Sequence, residues 1–153
     1  GRKDTVYEVG AALNTLAMLC ALGIGVILLL CTWFLFPWML YPVFHLSETA
    51  GSIATLILTF IGATMALRAF NTTNIVGVLR GGGDVRAATV IDVTAMWCFA
   101  LPLSAVLGLV FRLNVFWVYL AIELEQVLKF FTGMRRFRSR KWINDVTQLA
   151  AEP

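Results

Sequence analysis

Four long apolar stretches, joined by connections of which every second one is basic, constrain this chain more than any other feature. The stretches are residues 11–36, 53–67, 87–111 and 115–131. The second continues through residues 69–79, interrupted only by Asn71, Thr72, Thr73 and Asn74. About 20 helical residues cross a hydrocarbon layer of ~30 Å. A chain of this kind is therefore expected to be all-α and integral to the membrane, with four transmembrane helices at about residues 8–36, 51–79, 86–111 and 114–133 and a tail at 134–153. Composition agrees: 59% of residues are hydrophobic and 14% charged, against about 25% charged in soluble domains.

The basic residues give an orientation. Arg2 and Lys3 precede the first stretch, Arg80 and Arg86 flank the connection between the second and third, and Arg135, Arg136, Arg138, Arg140 and Lys141 follow the fourth. The connection at 37–52 has no Lys or Arg, and that at 112–114 has one. The positive-inside rule places both termini of the segment and the Arg80–Arg86 loop in the cytoplasm of a multi-pass plasma-membrane protein. Trp33, Trp38, Tyr41, Trp117, Tyr119 and Trp142 read as aromatic belts. The net charge of +3 then calls for lipid headgroups rather than nucleic acid.

Local signals punctuate the spans. Thr5 and Glu8 have capping-box spacing. Pro37 and Pro42 are expected to end the first helix. Ser47 or Thr49 caps the second, Asp84 the third and Asn114 the fourth. Gly81, Gly82 and Gly83 stop the second helix, Pro102 kinks the third, and Gly133 marks the end of the fourth. Thr55, Thr59, Gly62 and Ala66 form a small-residue stripe, and Gly23 and Gly25 thin the first span, as close helix packing in lipid requires. Cys20, Cys31 and Cys98 are isolated in apolar runs and read as packing residues. With His45 as the single histidine, a His-rich metal site is excluded.

Ionisable residues inside spans are the functional candidates, because burying them in lipid is costly. Asp92 lies about two turns into the third helix, and Glu123 near the middle of the fourth. Tyr119, Glu123 and Gln126 share one face of that helix, flanked by Phe116 and Phe130. Such a stripe lines a cavity for amphipathic cations, or hydrogen-bonds a neighbouring helix. Glu125 and Lys129 have the spacing of a self-neutralising pair. Arg68 is placed to pair with Asp92, with Asn71 and Asn74 one and two turns further on. This patch reads as a gate, or as a snorkelling arginine beside polar helix-end residues. The loop Arg80-Gly81-Gly82-Gly83-Asp84-Val85-Arg86 lacks the Gly-Lys-Ser/Thr of a phosphate loop. A tight turn, with Arg80 and Arg86 fixing topology, is the plainer account. An acid–base enzyme built on Asp92 and Glu123 ranks last, since no nucleophile, metal set or cofactor motif accompanies them. The chain is thus not expected to be an enzyme or to hold a cofactor.

The run Asn74-Ile75-Val76-Gly77-Val78-Leu79-Arg80-Gly81-Gly82-Gly83-Asp84-Val85-Arg86 resembles a signature of multidrug and toxic compound extrusion (MATE) transporters. Asp92 and Pro102 in the following span, the closing Arg138-Ser139-Arg140-Lys141-Trp142-Ile143 and the opening Gly1-Arg2-Lys3-Asp4 are similar to the same family's carboxy-terminal region. The resemblance implies that the four spans are helices nine to twelve of twelve, forming part of a six-helix bundle. It implies an antiporter that exports drugs or organic cations, driven by Na⁺ or H⁺, by alternating access of two bundles. The partners implied are the remaining helices of a parent transporter and small organic substrates. Many members carry an acidic residue in the helix matching residues 53–79; here that stretch has no Asp or Glu, so no cation site carries over. A competing expectation is a small autonomous membrane scaffold or subunit acting through oligomerisation.

Overall fold

The computed structural model describes residues 2–144, and every regular element among them is helical. Gly1 and the part of the expected tail beyond residue 144 lie outside the described residues. Helix α1 runs over Arg2–Leu30, passes into a π-helical stretch Cys31–Leu40 and ends with the turn Tyr41–Val43. Helix α2 covers Glu48–Asn71 and continues π-helically over Thr72–Leu79. Helix α3 occupies Val85–Val110, with π-helical insertions at Ala95–Ala100 and Val106–Val110. Helix α4 is Val115–Arg138.

Three helical stretches are long and apolar enough to cross a membrane: Lys3–Val43, Glu48–Leu79 and Val85–Val110. Helix α4, at 24 residues, is long enough, but Glu123, Glu125 and Lys129 interrupt its apolar character. The three apolar helices are compatible with a membrane-embedded protein. Their outer faces carry large uncovered side chains, from Leu16, Leu19 and Ile27 on α1 to Trp97 and Leu109 on α3, as a lipid-facing helix surface does.

The helix ends follow local chemistry at several points. Ser47 caps α2 by accepting from the Ala50 N–H at 3.3 Å, and Asn114 caps α4 by accepting from the Phe116 N–H at 3.1 Å. Gly83 takes φ 90° just after α2, a conformation open to glycine without steric cost. Three expectations change. The described helix already begins at Arg2, so Thr5 lies inside it and does not cap it. Pro37 does not end α1; the wider π-helical turn around it carries the helix to Val43. The missing proline N–H and the ring are accommodated where the regular i→i−4 ladder is already broken. The same device precedes Pro102, where the insertion Ala95–Ala100 lies one turn upstream. Gly133 does not end α4, which continues to Arg138. A Cβ at Gly133 would lie 3.0 Å from Asn74 Nδ2 and 3.4 Å from Ile75 Cγ1, so the glycine lets α4 approach α2 closely.

Helices α1 and α2 meet along a small-residue seam. A Cβ on Gly25 would lie 2.6 Å from the Gly62 carbonyl oxygen, and one on Gly62 would lie 2.9 Å from Leu29 Cγ. Gly23 has open space around it and plays no part in the contact. Further along the seam Trp33 Nε1 donates to Thr59 Oγ1 at 3.1 Å, and the Tyr41 and Thr55 hydroxyls lie 3.0 Å apart.

The principal buried cluster lies at the end where the start of α1, the glycine loop and the end of α4 converge. It comprises Ile75, Val78, Leu79, Ala88, Phe137 and Trp142, with Tyr7, Ala11 and Ile91 packed against it. Trp142 is among the most buried side chains and donates its indole N–H to the Phe137 carbonyl at 2.9 Å. It is a core residue, not a member of an interfacial belt. Its ring stacks on Phe137, which in turn stacks on Tyr7. The Arg140 guanidinium caps the stack 4.5 Å from the Tyr7 centroid and reaches Asp4 at 2.8 Å.

Candidate functional site

The polar side chains inside the helices fall into three groups. The first joins α2 to α4 at mid-helix. Arg68 forms an ion pair with Glu123 through Nη2 and Oε1, and the same nitrogen donates to the Tyr119 hydroxyl at 2.6 Å. Helical spacing puts Tyr119 and Glu123 on one face, one turn apart, so one guanidinium engages both. Glu123 is 6% exposed. Its Oε2 and the Arg68 Nε have no hydrogen-bond partner among the described residues. One turn along, Asn71 Nδ2 donates to Gln126 twice, to the backbone oxygen at 2.7 Å and to Oε1 at 2.9 Å.

The second group joins α1 to α2. Asn14 Nδ2 donates to Asn74 Oδ1 at 3.2 Å, and Asn74 is fully buried. The remaining amide atoms, Asn14 Oδ1 and Asn74 Nδ2, lack partners among the described residues. The sequence pattern does not single out Asn14, a lone amide interrupting the first apolar run.

The third group centres on Lys129 of α4. Its ammonium lies 2.7 Å from Asp92 Oδ1 and 3.1 Å from Glu125 Oε1, while Arg80 Nη2 lies 3.7 Å from Asp92 Oδ2. The Glu125–Lys129 pair thus forms as its spacing predicts, but it recruits Asp92 as well. The expected pairing of Arg68 with Asp92 does not form. Helix α4 lies against α2 and supplies Glu123 to Arg68, leaving Asp92 on α3 to Lys129 and Arg80.

The glycine loop is a turn, as the plainer account had it, with a further role. Asp84 begins α3 but makes no capping hydrogen bond with its side chain; instead its carboxylate receives the Arg136 Nε at 2.5 Å. Gly82 lies against the Trp142 ring, and its carbonyl accepts from the Asn144 N–H at 2.9 Å. Gly81 faces open space, and Arg86 is exposed.

A cleft of about 410 Å³ opens between α2, α3 and α4 beside the first group. Phe60, Leu67, Leu107 and Trp117 supply apolar and aromatic walls, and Glu123 is the one ionisable side chain among its lining residues. A carboxylate in such a wall attracts a positively charged apolar guest by charge and by desolvated contact. Arg68 opposes this as long as it neutralises Glu123, so the state of that pair sets the field in the cleft. Among the described residues no group of three or more His, Cys, Asp or Glu is placed to hold a metal ion. The cysteines Cys20, Cys31 and Cys98 are free thiols. No family model, no curated protein and no solved structure matches this chain.

Proposed function

We propose that this chain is the carboxy-terminal part of one lobe of a MATE-like transporter, a multi-pass plasma-membrane protein with both ends of this segment cytoplasmic. In this reading α4 is a fourth span. The complete protein is an antiporter that exports organic cations against Na⁺ or H⁺, with no enzymatic step and no resident cofactor. The observation that carries the reading is the buried Glu123, held by Arg68 and Tyr119 beside an aromatic cleft. Ionisable residues kept inside apolar helices mark substrate or ion pathways.

Helix α4 fits a span although its composition is mixed. Glu123 is neutralised by Arg68, and the carboxylates Asp92 and Glu125 by Lys129 and Arg80, so its charges reach lipid depth in compensated form. The cleft walls come from three helices, an arrangement that changes shape when helices move relative to one another, as alternating access requires. Coupling follows from exchange at Glu123 or Asp92. A cation or proton that takes over the carboxylate frees its basic partner, and the two helices it tied then separate.

The test is efflux of a fluorescent organic cation from cells making the complete transporter. Glu123→Gln and Asp92→Asn are expected to abolish coupled efflux at normal protein level. Normal efflux from both would remove the assignment. A second reading, an autonomous scaffold that assembles with copies of itself, draws on the broad uncovered apolar faces of α1 and α3. It predicts a native polypeptide of 16.9 kDa in a stable oligomer, whereas the transporter reading predicts one of about three times that mass.

A further inference from the structure

Helix α4 ends in Arg135, Arg136 and Arg138. A basic last turn complements the helix dipole, and Arg136 also serves Asp84. Neither reason accounts for what lies beside it. Arg135 and Lys141 are exposed and make no ion pair among the described residues. A cavity of about 400 Å³ lies between them and the first turns of α3. Its α3 wall is apolar, formed by Ala87, Val90 and Ile91, and its α4 wall is basic. Arg86, exposed and without an ion pair among the described residues, lies one turn before Val90 on the same helix. The hydroxyls that edge the cavity are committed elsewhere: Thr132 donates to the Leu128 carbonyl and Ser139 to the Arg136 carbonyl.

We propose that this cavity is a binding site for an anionic phospholipid. The phosphate sits between Arg135 and Lys141, and the start of an acyl chain lies along Val90 and Ile91. Two features select a lipid over a free anion. Val90 is 56% exposed beside unpaired cations, so a small anion would leave this apolar wall in water, whereas a lipid covers it. The same exposed apolar surface continues along α3 through Val93 to Trp97, in the direction an acyl chain would follow. Basic pockets between helices at a membrane surface recognise anionic headgroups on these terms. The site rests on the membrane placement in the proposed function but not on transport.

Native mass spectrometry of the full chain in detergent tests this, with equimolar phosphatidylglycerol and phosphatidylcholine of identical acyl chains. Phosphatidylglycerol adducts are expected to predominate. Arg135→Gln with Lys141→Gln is expected to lower their retention by on the order of 20-fold, about fivefold for each basic residue. Val90→Glu is expected to weaken the same adducts while the basic residues stay intact, and Arg112→Gln, at the other end of α3, to leave them unchanged. Equal retention of both lipids by a folded chain would overturn the site. So would an undiminished preference in the double variant, or displacement of the lipid by millimolar inorganic phosphate. A chain that is helical without detergent or lipid would instead remove the membrane placement itself.

Discussion

Gly82 lies so close beneath Trp142 that a Cβ on it would stand 2.3 Å from the indole Cε3 and 2.7 Å from the Trp142 carbonyl oxygen. No side chain fits there, so the glycine loop is a seat for the indole as well as a turn. Gly82→Ala is expected to lift Trp142 off the loop and loosen the stack that Phe137 and Tyr7 complete. Overpacking of this kind costs about 1–3 kcal/mol. Trypsin cleavage after Arg140 and Lys141 should accelerate. Gly81→Ala, which meets nothing within 4 Å, should leave the cleavage rate as in the parent. Equal rates in all three proteins would mean that the tail is not held by this contact.

The seam between α1 and α2 yields a paired prediction from two glycines that look alike in sequence. A Cβ on Gly25 collides with the backbone oxygen of Gly62, which a helix cannot move aside, whereas Gly23 faces open space. Gly25→Val is therefore expected to lower thermal stability in detergent by about 1–3 kcal/mol, and Gly23→Val to change it little. Equal effects would show that the seam does not form as described.

Lys129 holds two carboxylates, Asp92 on α3 and Glu125 on its own helix, and is 12% exposed. Lys129→Gln leaves Glu125 without its cation and Asp92 with Arg80 at 3.7 Å. It is expected to cost about 1–3 kcal/mol, the penalty for a buried polar group left unmatched, and more than Asp92→Asn, after which Glu125 still satisfies the lysine. The order of the two melting temperatures checks this. A larger loss in Asp92→Asn would place the main role of Asp92 at Arg80 instead.

What was legible in the sequence was what neighbours along the chain determine. The apolar helices, the caps at Ser47 and Asn114, the Glu125–Lys129 pair and the stop after Leu79 all depend on residues within about one turn. The features that local pattern does not fix depend on which helix lies beside which. Arg68 and Asp92 have matching depth and opposite charge, but depth alone does not fix azimuth or neighbour order, and α4 brings Glu123 to Arg68 first. Trp142 has the spacing of a belt residue, and only the convergence of three chain segments buries it. Pro37 would stop a regular helix; a π-helical register, which no local residue pattern announces, carries the chain past it. Asn14, one amide in an apolar run, is explained only by its partner sixty residues away at Asn74.

The Arg68–Glu123 pair separates a structural tie from a switch, and a set of three variants distinguishes them. Glu123→Ala leaves a guanidinium within α2 with, among the described residues, Tyr119 alone to accept from it. The expected cost is about 2–3 kcal/mol, less than the roughly 3–5 kcal/mol of a fully buried pair because Arg68 keeps about a third of its surface exposed. Arg68→Ala strands the more buried partner, and its cost should be the larger. Arg68→Ala combined with Glu123→Ala removes both charges, and its loss should fall below the sum of the single losses by about 1 kcal/mol or more, the coupling between them. Thermal unfolding of the four proteins in the same detergent measures this. Strict additivity would mean that the two side chains do not interact, and the cleft beside Glu123 would then carry an unneutralised carboxylate.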